Sequence, residues 1–258
     1  MALPVILPSE VAAGSVGAPS DVPPLRSFRD FYAFEQHVKT CRAKRGAPMI
    51  PAWYEIPVFY FSNPDSLVGD KAEVYAPRDC EQLDYELELG LVIGKQGRDI
   101  KEESAWDHVL GFTIVNDLSA RDLQRAEMKV GLGPAKGKDF ATAVGPQIIP
   151  LEAMQDRIDA EGRIDLEMIA RVNGREFSRG NARDMYHSWP RLIEQASRDA
   201  TLMPGDLLGS GTVGTGCILE LGPENTDGWL QPGDVVELEI ERIGVLTTQV
   251  VARPKAVS

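Results

Sequence analysis

The side chains in this sequence best placed to do chemistry are acidic. Glu86 and Glu88 stand two apart in Asp84-Tyr85-Glu86-Leu87-Glu88-Leu89-Gly90-Leu91-Val92-Ile93, where acidic and apolar residues alternate. A period of two is the mark of a half-buried strand, so both glutamates leave one face while Leu87 and Leu89 leave the other. Two carboxylates held so close repel unless water, protons or a cation screens them. From this segment alone the plainer reading is a strand with one wet acidic face, as antiparallel sheets commonly have. A third carboxylate, Asp117, ends the apolar run Gly111-Phe112-Thr113-Ile114-Val115-Asn116. A strand end can hold a side chain rigidly at a cleft, although singly Asp117 suits an Asx turn steadying the next helix even better. Several carboxylates without clustered His or Cys specify a hard cation, Mg²⁺ or Ca²⁺ with Mn²⁺ admissible, rather than zinc.

Other polar groups stand in settings that need explaining. Lys138 follows the glycine-rich stretch Gly131-Leu132-Gly133-Pro134-Ala135-Lys136-Gly137. The glycine spacing is wrong for a phosphate loop, and Asp139 stands where Ser or Thr is required, which excludes nucleotide binding of that kind. Lys138 is a candidate for a fixed positive charge at a site, or else merely solvated. Gly209-Ser210-Gly211-Thr212-Val213-Gly214-Thr215-Gly216-Cys217 lets backbone and hydroxyl groups approach a ligand closely. Cys217 has no evident neighbouring base and reads as a small buried residue. Glu220 lies in the apolar run Ile218-Leu219-Glu220-Leu221, where an unpaired carboxylate would be costly, so it needs a partner: an Arg, a Lys or the imidazole of His37.

The elements that must position these groups are legible in outline. Ser27 resembles an N-cap, giving an expected helix over 27–44 that would set Asp30, Phe34, His37 and Cys41 on one face. Strands are expected at 73–76, 85–93, 110–115, 144–149, 235–240 and 245–251. Helices are expected at 119–129, capped by Ser119, and at 182–200, kinked by Pro190. Asn173-Gly174 signals a tight hairpin. Hairpins outnumber helices and no regular βαβ alternation occurs, so the fold class is α+β, mostly antiparallel with a few flanking helices. Residues 1–26, rich in Ala, Gly, Pro and Ser, read as an arm. Residues 27–75 form a helical and extended region, and 76–253 a β-rich catalytic domain, with 27–253 expected as one structural unit.

Composition narrows the function further. A net charge of −12 over 258 residues argues against nucleic acid as a partner, since phosphate backbones are met by Lys and Arg clusters. Three cysteines without tight spacing make neither a disulfide framework nor a zinc site, which fits a reducing compartment. No apolar run is long enough to span a bilayer, and the first residues lack the basic start of a signal peptide. The expectation is a soluble cytoplasmic protein without membrane partners.

Several of these motifs, in order, resemble the fumarylacetoacetate hydrolase family over roughly residues 28–250. Asp30-Phe31-Tyr32 followed by Gln36-His37 looks like the stretch bearing one metal carboxylate, a substrate tyrosine and the catalytic histidine. Glu86-x-Glu88 and Asp117, within Asn116-Asp117-x-Ser119-Ala120-Arg121-Asp122-x-Gln124, look like its other metal ligands. The resemblance implies substrate contacts from Tyr32, Tyr60, Gln124 and Thr212, with Arg45 the nearest match for a substrate arginine. It implies Lys138 beside the metal and Glu220 paired with His37. It also implies a rolled β-sandwich, commonly a homodimer, acting in aromatic degradation. Met128 stands where the animal enzyme has a tyrosine, the loop before Lys138 is a residue longer, and that enzyme's additional N-terminal domain has no counterpart here.

The activity so implied is hydrolysis of a carbon–carbon bond in a 1,3-diketo acid such as fumarylacetoacetate, with water activated by His37 and Glu220. Alternatives within the family are an acylpyruvate hydrolase or an oxaloacetate-type decarboxylase. Outside it stands a non-catalytic acidic binding module. His108 and His187 receive structural readings only.

Overall fold

The computed structural model describes residues 1–8 and 22–254, so part of the expected arm, 9–21, lies outside the described residues. Strands begin with Leu3–Pro4 (β1), Ser27–Phe31 (β2), Phe59–Ser62 (β3), Leu67–Val68 (β4), Ala72–Val74 (β5) and Leu83–Asp84 (β6). Leu87–Ile93 (β7), Gly97–Arg98 (β8), Val109–Asn116 (β9), Ser119–Ala120 (β10) and Thr142–Pro150 (β11) follow. The remainder are Glu167–Val172 (β12), Arg175–Asn181 (β13), Thr201–Leu202 (β14), Asp206–Gly209 (β15), Val235–Ile240 (β16) and Gly244–Val250 (β17). The helices are Glu35–Lys44 (α1), Pro51–Glu55 (α2), Arg121–Met128 (α3), Trp189–Ser197 (α4) and Ile218–Leu221 (α5).

Two large sheets dominate. The first runs β1-β11-β9-β7-β15-β2-β3, with β4 beside β11; the second runs β13-β12-β16-β17-β5. All pairs are antiparallel except β15 with β2, β11 with β4 and β17 with β5. This is a mixed, mostly antiparallel α+β architecture.

The main core lies between the sheets, where Leu87, Leu89 and Leu91 meet Phe112, Met168, Leu238 and Leu246. Burying each such leucine contributes on the order of 1.5–3 kcal/mol. The opposite face of the first sheet is covered as well, by Ile6, Leu7, Val22 and Leu25 against Phe28, Val92, Val144 and Leu207. Every residue of β7 is therefore buried. The wet acidic face that 85–93 suggests when taken alone does not exist: a second apolar layer, drawn partly from the N-terminal residues, covers the face at Val92, and Glu86 and Glu88 are buried at a cavity.

Other local expectations are overturned for similar reasons. Ser27 does not cap a helix. Its segment is a strand bonded to β15 on one side and β3 on the other, so tertiary pairing overrides the capping signal. Asp30 consequently reaches the site from a strand, and only the later part of the expected helix, α1, is helical. Ser119 lies in β10, opposite Asp84, and its hydroxyl donates to the Asp117 carbonyl at 3.0 Å rather than to a helix N–H. The helix expected over 182–200 is confined to α4, with Pro190 in its first turn, where the missing N–H is not needed. The hairpin does turn at Asn173 (φ 52°) and Gly174 (φ 77°).

Candidate active site

Four carboxylates, two on strands and two at strand ends, converge. Asp30 is on β2, Glu88 on β7, Glu86 just before β7 and Asp117 just after β9. Their oxygens lie within 4.8 Å of one another, and all four side chains are buried. Backbone pairing sets this register: Asp30 lies beside Gly209, and Gly209 lies beside Gly90. Gly209 is glycine because a Cβ there would collide with Asp30 Oδ1 and stand 2.9 Å from Glu88 Oε2. Those same two oxygens accept no hydrogen bond.

The cations around the cluster are arranged unevenly. Lys138, 4 % exposed, bridges Glu86 Oε2 and Asp117 Oδ2. Arg121 donates to Glu86 Oε1 at 2.7 Å and to Asp84 Oδ2 at 2.8 Å. Burial alone would raise the Glu86 carboxyl, yet Arg121 and Lys138 outweigh it and hold the group below its ordinary range. Asp30 and Glu88 lack such partners. Burial pushes both well above the ordinary carboxylate range, and the neighbouring acids push them further. Asp117 is also raised by burial, against the pull of Lys138, while Tyr60 donates to its Oδ2 at 2.6 Å. Two unpartnered, oxygen-only acids beside two partnered ones form a donor set that fits one hard divalent cation. A cation must displace the protons that burial retains on Asp30 and Glu88. Affinity should therefore rise with pH, with proton release seen by calorimetry in buffers of different ionisation heat. Pairing independent of pH would place the ion elsewhere.

His37 stands beside this cluster on the buried face of α1. Its Nδ1 lies 2.8 Å from Glu220 Oε2. Of the partners left open for Glu220 by its apolar context, the imidazole is the one found. Glu220 is placed by α5, whose first N–H groups, Ile218 and Leu219, donate to Asp84 at 2.8 and 3.0 Å. Asp84 thus ties the dyad to Arg121 and, through it, to Glu86. Burial disfavours the charged ring, but contacts with Cys217 and Glu220 prevail and hold His37 up at about 10. Glu220 supplies the negative charge, because burial keeps the Cys217 thiol protonated. Removing Arg121 would strand Asp84 and weaken the hold on Glu86. Arg121→Ala should cost about 3–5 kcal/mol of stability, read as a fall in Tm, and a loss below 1 kcal/mol would show the pair to be dispensable.

A cavity of about 390 Å³ opens onto these groups. Asp30, Glu86, Glu88, Lys138 and His37 line it together with Tyr32, Tyr60, Gln124, Thr212 and Arg45, as well as Arg42, Met128 and Leu132. Thr212 Oγ1 lies 3.4 Å from Glu88, and the Tyr32 ring stands edge-on to His37 at 5.5 Å. Arg45 donates to the Cys41 carbonyl at 3.0 Å. The residues proposed for the site in the sequence come to this one place, with Asp117 and Glu220 outside the cavity lining. Asp84, Arg121 and Arg42 were not singled out. Arg121 lies within the 116–124 motif, where nothing local marks a charged residue as buried. His187 and His108 are elsewhere, bonded to the carbonyls of Trp53 at 2.8 Å and Lys95 at 3.0 Å. Among the described residues no helix is long and apolar enough to cross a membrane.

Residues 26–251 match the family model described as fumarylacetoacetate (FAA) hydrolase C-terminal. The oxaloacetate tautomerase YisK of Bacillus subtilis is 36% identical over 200 residues, covering 76% of this chain and 62% of that protein. The chain thus spans under two thirds of that relative's length. The fumarylacetoacetate hydrolase of Exiguobacterium antarcticum superposes with a TM-score of 0.69 at 30% identity, over 90% of this chain and 78% of that one. A Pseudomonas aeruginosa fumarylpyruvate hydrolase, solved with Mn²⁺ and pyruvate, gives 0.74 over 98% and 96% of the two chains. At 24% identity that last likeness speaks for the fold alone.

Proposed function

Since the chain belongs to the fumarylacetoacetate hydrolase family, we propose that it is a divalent-metal-dependent hydrolase cleaving a carbon–carbon bond in a small 1,3-diketo acid. The observation that carries this reading is that His37, backed by the buried Glu220, lines the same cavity as Asp30, Glu86 and Glu88, with Asp117 grouped beside those three. A cation held by Asp30, Glu86, Glu88 and Asp117 would supply Lewis-acid polarisation of the substrate's paired oxygens. The chain's own groups do the rest. The deprotonated ring of His37, the minority form while the pair holds it up at about 10, takes a proton from water while Glu220 fixes the ring and balances the charge that returns to it. The resulting hydroxide adds to the acyl carbonyl carbon. The bond to the neighbouring carbon then breaks, and His37 returns its proton to the departing carbon. Lys138 places a positive charge where negative charge develops. Arg42 and Arg45 draw a carboxylate into the cavity, and Tyr32, Tyr60, Gln124 and Thr212 orient the chain of the acid.

The cavity's volume lies in the range of sites for drug-sized ligands, and its apolar wall, with Val58, Phe59, Met128 and Leu132, has room for an acyl tail. The likeness to YisK favours a second reading, keto–enol tautomerisation of a short keto diacid, in which the same imidazole only shuttles a proton. The two separate cleanly by product. With Mg²⁺ or Mn²⁺ present, fumarylacetoacetate or an acylpyruvate should be split into two acids, read by loss of enol absorbance and chromatography. Faster oxaloacetate enolisation with every diketo acid left intact would establish the tautomerase instead. No metal-dependent turnover of either class would leave a binding module.

A further inference from the structure

We propose that His37, Cys217 and Glu220 form a second cation site, selective for a thiophilic ion such as Zn²⁺ or Cd²⁺ and separate from the carboxylate cluster. The mechanism above makes no use of Cys217, which is fully buried against the dyad. One donor atom from each of the three residues lies within 4.8 Å of the others. Tetrahedral zinc with bonds of about 2.0–2.3 Å needs donors roughly 3.3–3.8 Å apart, so only a modest adjustment of these side chains is required. Glu220 Oε1 is buried and accepts no hydrogen bond, which leaves a carboxylate oxygen free for an ion.

Charge and ligand softness select the ion. Cys217 as thiolate and Glu220 as carboxylate neutralise a dication, so the buried complex carries no net charge with a neutral imidazole. Binding would release the Cys217 thiol proton and the proton shared by His37 and Glu220, because a coordinating thiol is deprotonated by the metal. Sulfur and nitrogen donors favour zinc and cadmium over Mg²⁺ or Ca²⁺, whereas the all-oxygen cluster favours the reverse. Three protein donors leave a fourth position, as in zinc sites open to solvent, and His37 itself lines the cavity through which an ion would enter. An ion there occupies the base, so this site opposes whichever reaction the carboxylate site supports.

The test uses Cd²⁺ on the full chain in excess Mg²⁺, following thiolate-to-cadmium charge-transfer absorption in the ultraviolet. This reading is independent of substrate and of the proposed reaction. One equivalent of Cd²⁺ per chain should produce the band, and Cys80→Ser, altering the half-buried cysteine outside this group, should leave it unchanged. Cys217→Ser should abolish it. His37→Gln, which keeps the thiol and guards against misfolding of the cysteine variant, should weaken Cd²⁺ binding by about 100-fold or more. A band that persists in folded Cys217→Ser, vanishes with Cys80→Ser or ignores His37→Gln overturns the site.

Discussion

His37→Gln is expected to lower turnover of a diketo acid by about 10²–10⁴-fold while the calorimetric affinity for Mg²⁺ or Mn²⁺ stays nearly unchanged. The split follows from geometry. His37 contacts Glu220 at 2.8 Å and is absent from the carboxylate group, so its loss removes the base and spares the cation donors. Equal turnover in the variant would refute the dyad, and a parallel loss of cation affinity would mean that the imidazole is itself a ligand. The pair also carries a stability signature. Its pKa is raised from 6.5 to about 10 in the folded protein, so its stabilisation is complete below about 6.5 and is lost as pH climbs toward 10. Cation-free wild type should therefore lose Tm over that window faster than His37→Gln. Matching slopes would show that the ring is neutral when folded.

The second large effect concerns Glu88. Glu88→Gln should reduce divalent-cation affinity by about 100-fold or more, because it removes one of the two carboxylates that no cationic side chain satisfies. The same change should not lower the Tm of the cation-free protein at neutral pH. Burial first, then Asp30 and Asp117, push Glu88 well above the ordinary carboxylate range. Unfolded, the same group ionises above about 4.5 while the buried carboxyl keeps its proton, so stability falls as pH rises from 4.5 toward the raised pKa, a penalty that the neutral amide avoids. Retained affinity would place the ion away from Glu88. A marked drop in cation-free Tm would show that Glu88 is a structural anion instead.

The acidic cluster puts function in competition with stability. Lys138 and Arg121 hold Glu86 ionised and draw on Asp117, yet Asp30 and Glu88 are left facing each other across Gly209. A chain selected for stability alone would place an apolar or paired residue there. The unpartnered acids make the donor set complementary to a dication rather than to the protein's own lysines and arginines.

The sequence by itself determined the types and order of the reactive groups and much of the strand pattern, since alternation in 85–93 and 235–240 and the Asn173-Gly174 turn are local signals. It also required Glu220 to have a partner, because an unpaired carboxylate in an apolar run is costly wherever the chain goes. Only the tertiary structure decided that Ser27–Phe31 is a strand, because hydrogen bonds to β15 and β3, remote in the chain, outweigh a local cap. Likewise only packing decided that this face is not open to bulk water: Ile6, Leu7, Val22 and Leu25 cover it at Val92, Glu88 is buried beside Asp30 at the cavity, and no pattern within β7 encodes what lies above it. Burial is a property of the assembled layers, and burial gives these carboxylates and this imidazole their altered proton affinities.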